Sequence, residues 1–380
     1  MSNKLFTLTE AHTNKSAVFR EIYSAGEISR QEIAAKVGLS LPTLRQSVNE
    51  LLKEGLICEN GYFESTGGRK ASAFSVSPKS MVAVGVEFLG DSVQLSAVDL
   101  RGMVILEKKH KIRYSDTDEY YRKFGELVNA FVSELGVSSN HILEILIAVQ
   151  GIVSLDGERI LMGKVLGNSG TSRAQFQKYI RYPCRLVNDT DAAAFGELWS
   201  SPDISNAAFL LLNRNLGGAI IINGRVFHGR AVDNKVMNGG IIGHLHIVPG
   251  GKPCYCGKCG CFQAYCSVNT LEEESGTDID SFMRSLKKGN VGNMKIFDRY
   301  LSYLAFGINN IRTLMDLEFI IGGYLEEYLT DEHFALLSEK VKNEAPFDNM
   351  TFQYRRSVHG AMAPSRGAAY IKLNDFILSI

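Results

Sequence analysis

The sequence lacks a net charge, a long apolar run and a generous supply of cysteine, and each absence excludes something. Its 41 Lys and Arg balance 41 Asp and Glu over 380 residues. No whole-molecule field therefore draws it to nucleic acid or to a membrane, and any polyanionic partner must be met by a local patch. No segment reaches the roughly 18 consecutive apolar residues of a membrane span, and the opening MSNKLFTLTEAHTNK has no apolar core of the secretory kind. A cytoplasmic protein is the expectation, and in that reducing compartment clustered cysteines are expected as metal ligands rather than disulfides.

What is present begins with those cysteines. There are seven, and four of them, Cys254, Cys256, Cys259 and Cys261, fall in KPCYCGKCGCF at 252–262. Three readings stand: a four-sulfur knuckle, a catalytic metal site, or a three-sulfur clip completed from elsewhere. Cysteines spaced by one, two and one residues strain to converge on one ion, which weighs against the first.

The hydrophobic content of 45% supports two or three cores, hence more than one domain. Residues 14–37 carry two short amphipathic patterns, with Val18, Phe19 and Ile22 in one and Ile33, Ala34 and Val37 in the other. Gly38 interrupts them, Ser40 is placed to cap a third helix, and Pro42 suits its first turn. That helix turns Leu44, Val48, Leu51 and Leu52 inward and leaves Thr43, Arg45, Gln46 and Asn49 outside, as a major-groove reader requires. Two strand-like runs follow around the basic turn Gly67-Gly68-Arg69-Lys70. The pattern predicts a winged helix-turn-helix with Ser40, Thr43, Arg45, Gln46, Asn49, Arg69 and Lys70 on DNA, and with Arg30 and Lys36 beside the groove face. A three-helix packing module is the plainer alternative, since residues 1–79 hold ten Lys and Arg against eight Glu.

After Pro78 the texture changes. Residues 81–112 read as three successive strands, then a helix over 120–135, a buried strand in ILEILIAVQGIV, and a strand CRLVND leading into the Ala-rich TDAAAFGELW. From 207, AAFLLLNRNLGGAIIINGRVFHG opens a second strand meander, and helices dominate beyond 267. Two halves built alike suggest a duplicated α/β fold. The expected boundaries are 1–78 for the DNA-binding domain, 79–195 for one lobe and 196–380 for the other, with the last helix returning to the first lobe.

Four stretches, STGGRK, NDTDAAAFGE, IINGRVFHG and GHLHIVPGGKPCYCGKCGC, make the chain resemble the repressor branch of the ROK family (repressors, open reading frames and sugar kinases) over nearly its whole length. The last is the most specific: a His, a Cys-x-Cys starting ten positions later, and a Cys five beyond it. The resemblance implies a winged helix-turn-helix, an actin-like, sugar-kinase-type two-lobed domain with a sugar cleft, and homodimers or homotetramers. It also implies a structural Zn2+ held by His244, Cys254, Cys256 and Cys261, which leaves Cys259 surplus. Such a closed tetrahedron has no place for a catalytic water.

The resemblance further places Asn188 and Asp189 on the sugar-binding Asn-Asp pair, and Asn168 and His244 on sugar contacts. An N-terminal cap of the Ala-rich helix is the alternative role of the pair. Two acidic positions of the family pattern are changed, one to Ile241 and one to Gln263, the latter still expected among the ligand contacts, so glucose is not the expected effector. The kinase phosphate turns depart more. Asp-x-Gly-Gly-Thr becomes Glu87, Phe88, Leu89, Gly90, Asp91, and Gly-Thr-Gly-x-Gly-Gly-Gly becomes Asn213, Arg214, Asn215, Leu216, Gly217, Gly218, Ala219. Backbone approach to phosphates needs small residues there, so no catalysis is expected. A sugar-responsive repressor of carbohydrate genes on operator DNA is the leading expectation. A sugar kinase with an added DNA-binding domain, and a regulator run by a protein partner through a vestigial cleft, are the alternatives.

Overall fold

The computed structural model describes residues 13–62, 72–229, 231–232, 236–237, 239–347 and 351–380. The wing residues Arg69 and Lys70 lie outside them.

The amino-terminal unit is built by its caps. Helix α1 (Asn14–Ala25) starts where Thr13 Oγ1 accepts the Ser16 N–H at 3.0 Å. After the short strand β1 (Glu27–Ser29), α2 (Arg30–Val37) opens on a reciprocal capping box between Ser29 and Glu32, and ends at Gly38 with φ +70°. Helix α3 (Leu41–Lys53) is capped by Ser40 and has Pro42 in its first turn. Leu44, Val48 and Leu51 are buried beneath it, while Arg45, Gln46 and Asn49 are exposed. Strands β2 (Ile57–Tyr62) and β3 (Ser72–Val76) pair antiparallel, and β1 joins the other side of β3.

The remainder is two lobes with one topology. In the first, β4 (Val82–Phe88), β5 (Ser92–Asp99) and β6 (Val104–Lys111) form an antiparallel meander, flanked by helix α4 (Asp118–Glu134). Strand β7 (Ile145–Val149), the hairpin β8 (Ile152–Val153) and β9 (Ile160–Met162), helix α5 (Arg173–Gln177) and strand β10 (Cys184–Asn188) follow. The sheet order is β10-β7-β4-β5-β6, with β7 and β10 parallel. Helix α6 (Asp189–Ser200) then leads to the second lobe.

There β11 (Ala207–Leu212), β12 (Leu216–Ile222) and β13 (Arg225–Phe227) repeat the meander. A small hairpin of β14 (Ala231–Val232) and β15 (Val236–Met237) and helices α7 (Val268–Ser275), α8 (Ile279–Lys287) and α9 (Val291–Leu314) precede β16 (Glu318–Gly322). Helix α10 (Asp331–Asn343) and strand β17 (Tyr354–Arg356) complete the order β13-β12-β11-β16-β17. Each sheet is a meander with two parallel strands added on the side of its first strand, which is the duplication that the sequence suggested.

The last helix, α11 (Ala363–Ser379), crosses back to lobe 1 and packs on β4, β5, β7 and α6. Two glycines permit the approach: a Cβ on Gly85 would sit 1.9 Å from the Ser365 carbonyl oxygen, and one on Gly367 would sit 1.8 Å from that of Ala192. The DNA-binding unit is joined to this layer by a shared core, in which Phe19, Ile22 and Leu51 meet Trp199, Tyr370, Leu373 and Ile377. Trp199, the single tryptophan, is stacked on Tyr370 at 5.3 Å and meets Tyr23 of α1 edge-on at 6.3 Å. No described helix is long and apolar enough to cross a membrane.

Candidate functional site

A cavity of about 760 Å3 lies between the lobes, within the size range of small-molecule sites. Its position follows from the joint between β10 and α6. Asn188 ends the strand and caps the helix: its Oδ1 accepts the Asp191 N–H at 2.9 Å, and its Nδ2 donates to the Gly151 carbonyl at 2.9 Å. Both polar ends of Asn188 are thereby engaged in holding the joint, so its capping role is realised while it also lines the cavity.

Asp189, the next residue, is presented to the cavity but is itself buried. Its Oδ1 accepts from the Thr190 N–H at 2.8 Å and from Thr190 Oγ1 at 3.3 Å. Burial pushes its carboxyl up to about 7, against the pull of those Thr190 hydrogen bonds and with help from the Asp191 charge. A carboxyl so placed takes or gives a hydrogen bond to a ligand hydroxyl according to pH.

The wall also holds residues that the sequence reading did not single out. His228 Nε2 lies 3.0 Å from Asp191 Oδ2, and this partner raises the imidazole pKa. Lys164 Nζ, from lobe 1, donates to the Cys256 carbonyl of lobe 2 at 3.2 Å. His228 stands inside the quoted IINGRVFHG stretch, so a signal existed; Lys164 had none.

Two sequence-assigned ligand contacts are placed elsewhere. Asn168 is fully buried, and neither its Oδ1 nor its Nδ2 has a hydrogen-bond partner among the described residues. It sits under its own loop, with its amide N–H on the Gly163 carbonyl at 2.9 Å, and it does not line the cavity. Gln263 is absent from the wall too: its Nε2 donates to Cys254 Sγ at 3.2 Å, so the amide supports the cysteine cluster. His244 does line the cavity, as does Ile241.

His244 belongs to that cluster as well. Its imidazole and the sulfurs of Cys254, Cys256 and Cys261 place their ligand atoms all within 4.8 Å of one another. His244 Nδ1 is 3.5 Å from Cys254 Sγ, and Cys256 Sγ is 3.6 Å from Cys261 Sγ. A tetrahedron with Zn–S near 2.3 Å requires sulfurs about 3.7 Å apart, so the residues fit zinc. Burial, then the His246 charge, lowers the His244 pKa, favouring the neutral imidazole that ligates. Burial alone would raise the Cys256 thiol, but the Lys258 N–H, the Cys254 and Cys261 sulfurs and the Lys164 charge bring it below its ordinary value. Cys259 is exposed and outside the group, which removes the four-cysteine reading.

The phosphate-turn positions face each other across the lobes. Arg214 Nη2 reaches Asp91 Oδ2 at 3.2 Å, and its Nη1 reaches Glu272 at 3.5 Å. Glu87 is wholly buried with both carboxyl oxygens unpartnered among the described residues. Burial and the Asp189 charge hold it well above the carboxylate range, with Lys109 pulling the other way.

On the DNA-binding unit, Ser40 Oγ and Thr43 Oγ1 are 2.8 Å apart, and Gln46 Nε2 donates to Glu50 at 3.1 Å. Arg30 and Lys36 are engaged internally, Arg30 over the Phe74 ring at 5.1 Å and Lys36 with Glu21 at 2.6 Å. Arg45 and Asn49 stay exposed on the outer face of α3.

Comparison with known proteins agrees with this anatomy. Residues 83–374 match the ROK family, and residues 13–57 match a winged helix-turn-helix DNA-binding family. A xylose repressor of Bacillus spizizenii is 22% identical over 375 residues, covering 96% of each chain. The DNA-binding transcriptional dual regulator NagC of Escherichia coli is 26% identical over 264 residues, 68% of this chain and 64% of that one. A crystal structure of a ROK family transcriptional regulator, a homolog of the E. coli MLC protein, superposes with a TM-score of 0.76 at 20% identity over 96% of this chain and 97% of that one. A Streptomyces griseus ROK glucokinase bound to glucose and AMPPNP gives 0.64 at 19%, over 77% and 99%. With the family match spanning most of its length and a winged helix-turn-helix in front, the chain belongs to the ROK family.

Proposed function

We propose that this protein is a sugar-responsive DNA-binding repressor of carbohydrate genes, and not a kinase. The observation that carries the reading is the helix α6, which begins with Asp189 on the cavity and carries Trp199 in its last turn, in the core shared with the DNA-binding unit. A sugar-like ligand that binds one arrangement of the lobes better than another shifts the placement of the DNA heads through that helix. Asp189 and His244 are the ligand contacts in this reading, and Asn188 holds Asp189 in place.

Operator recognition falls to α3, with Ser40, Thr43, Arg45, Gln46 and Asn49 toward the major groove, and with Arg69 and Lys70 on the adjoining phosphates. A homodimer or homotetramer supplies paired heads. His244, Cys254, Cys256 and Cys261 would hold a structural Zn2+, whose four coordination bonds would cross-link the loop beside the cavity. Phosphoryl transfer is disfavoured because Asp91 puts a carboxylate at the first turn and Arg214 of the second turn is spent on it. A gel-shift titration of operator DNA against a broad carbohydrate panel tests the reading. Release by at least one sugar supports it, and indifference to all of them removes the effector role.

A further inference from the structure

The cavity has a polar floor and an apolar rim, and a single ligand must satisfy both. At the floor, Asp189 is 7% exposed and, among the described residues, uses only Oδ1 internally, on Thr190, which leaves Oδ2 for a hydroxyl. At the rim, Leu155 and Met162 of lobe 1 and Ile241 and Tyr255 of lobe 2 are between 39% and 47% exposed, and all four line this cavity. Large apolar side chains left in water together, on facing walls, mark a surface awaiting an apolar occupant. A free sugar, with hydroxyls around its ring, would set polar groups against those side chains or leave their apolar area in water. The volume of about 760 Å3 leaves room beyond one sugar ring.

We propose that the ligand is a glycoside with an apolar aglycone, aryl or long alkyl, whose sugar hydroxyls meet Asp189 while the aglycone lies between Leu155 and Met162 on one side and Ile241 and Tyr255 on the other. This deepens the sugar-responsive reading and rests on it. Since the rim comes from both lobes, the aglycone draws them together, which is the differential contact that a change in lobe arrangement requires.

The test is calorimetry on the full chain with phenyl glycosides of glucose, galactose and xylose in both anomers, each paired with its free sugar, and with phenol alone. At least one phenyl glycoside binds ten-fold or more tightly than both its parent sugar and phenol. That preference falls at least ten-fold in Ile241→Glu, which restores a carboxylate at the rim, and also in Leu155→Ser, whose side chain is exposed and whose loss leaves the fold intact. A free sugar that binds as well as its glycoside overturns the aglycone and leaves the sugar reading standing. Phenol binding as well as the glycoside overturns the sugar head. Absence of binding by every sugar and glycoside removes both inferences together.

Discussion

Asp189 and Trp199 stand at opposite ends of one helix, the first on the wall of the interlobe cavity and the second edge-on to Tyr23 of the DNA-binding unit. At a rise of 1.5 Å per residue they are about 15 Å apart, and the helix between them is pinned along its length by α11, with Gly367 against Ala192. A displacement at the cavity end therefore has no soft segment in which to dissipate before it reaches the head. Trp199→Ala should uncouple the two ends. It costs roughly 3–5 kcal/mol of stability as a large-to-small change in a packed core, and ligand affinity should stay within about three-fold. Operator affinity should cease to respond to ligand. Parallel calorimetry and operator anisotropy check this, and a response of normal size in the variant would remove α6 as the connection.

The pH dependence of stability has a definite sign. Native Asp189 keeps its proton to about pH 7, whereas the unfolded side chain releases it near 3.8. Stability from this group is therefore fully present below the unfolded value and is lost as pH rises through about 7. Asp189→Asn should gain on the wild type between pH 5 and pH 8 by up to a few kcal/mol, read from urea midpoints at each pH. The same substitution weakens ligand binding at least ten-fold. A stability difference that is flat with pH would show that the carboxyl is not buried in its neutral form.

Metal content separates the cysteines. Cys261→Ser and His244→Ala should lose stoichiometric zinc and melt at a lower temperature, while Cys259→Ser should retain both metal and melting point. Elemental analysis of the purified variants decides the matter. Gln263→Leu removes the donor to Cys254 and should weaken zinc binding by about 10–100-fold, the usual effect of losing a group that supports a metal ligand. Full zinc affinity in that variant would argue that Gln263 has a different task.

The two turns that face each other as Asp91 and Arg214 give a prediction about what cannot be restored. Both side chains are exposed, so the pair contributes at most about 1 kcal/mol. Arg214→Ala should change stability little and should produce no ATP hydrolysis in the presence of hexoses, because Leu89, Glu87 and Asp91 remain. A coupled assay that detects sugar-dependent ADP formation, in wild type or variant, would return the protein to the kinases.

Much of this anatomy was legible from local pattern, and the limits have a physical cause. Caps, turns and periodicity are near-neighbour properties, so Ser40 with Pro42, and Asn188 before the Ala-rich helix, could be read directly. The doubled meander was visible because each copy is continuous in sequence. Pairs such as Arg214 with Asp91, Asp191 with His228 and Lys164 with Cys256 join distant stretches, and nothing local announces them. Asn168 and Gln263 are the converse case. Each occupies a position associated with the cleft, yet Asn168 is buried off the cavity wall and Gln263 donates to a thiol.

On the DNA side, Arg45 is the exposed base-reading candidate without an internal ion pair among the described residues, unlike Lys36. Arg45→Ala should lower operator affinity by about 1–3 kcal/mol and relax specificity at one base-pair position. Lys36→Ala should alter binding by less than two-fold. Competition with singly substituted operators measures both. Equal losses for the two variants would place the groove face elsewhere on the unit.

In the function proposed above, occupancy of the interlobe cavity governs operator binding. Fluorescence anisotropy of labelled operator, titrated with wild type and with Asp189→Ala in the absence and presence of each sugar and phenyl glycoside, tests it most directly. At least one compound should shift the wild-type Kd ten-fold or more, and the same compound should leave the Asp189→Ala Kd unchanged. A wild-type Kd unmoved by every compound, or an equal shift in the variant, would contradict it.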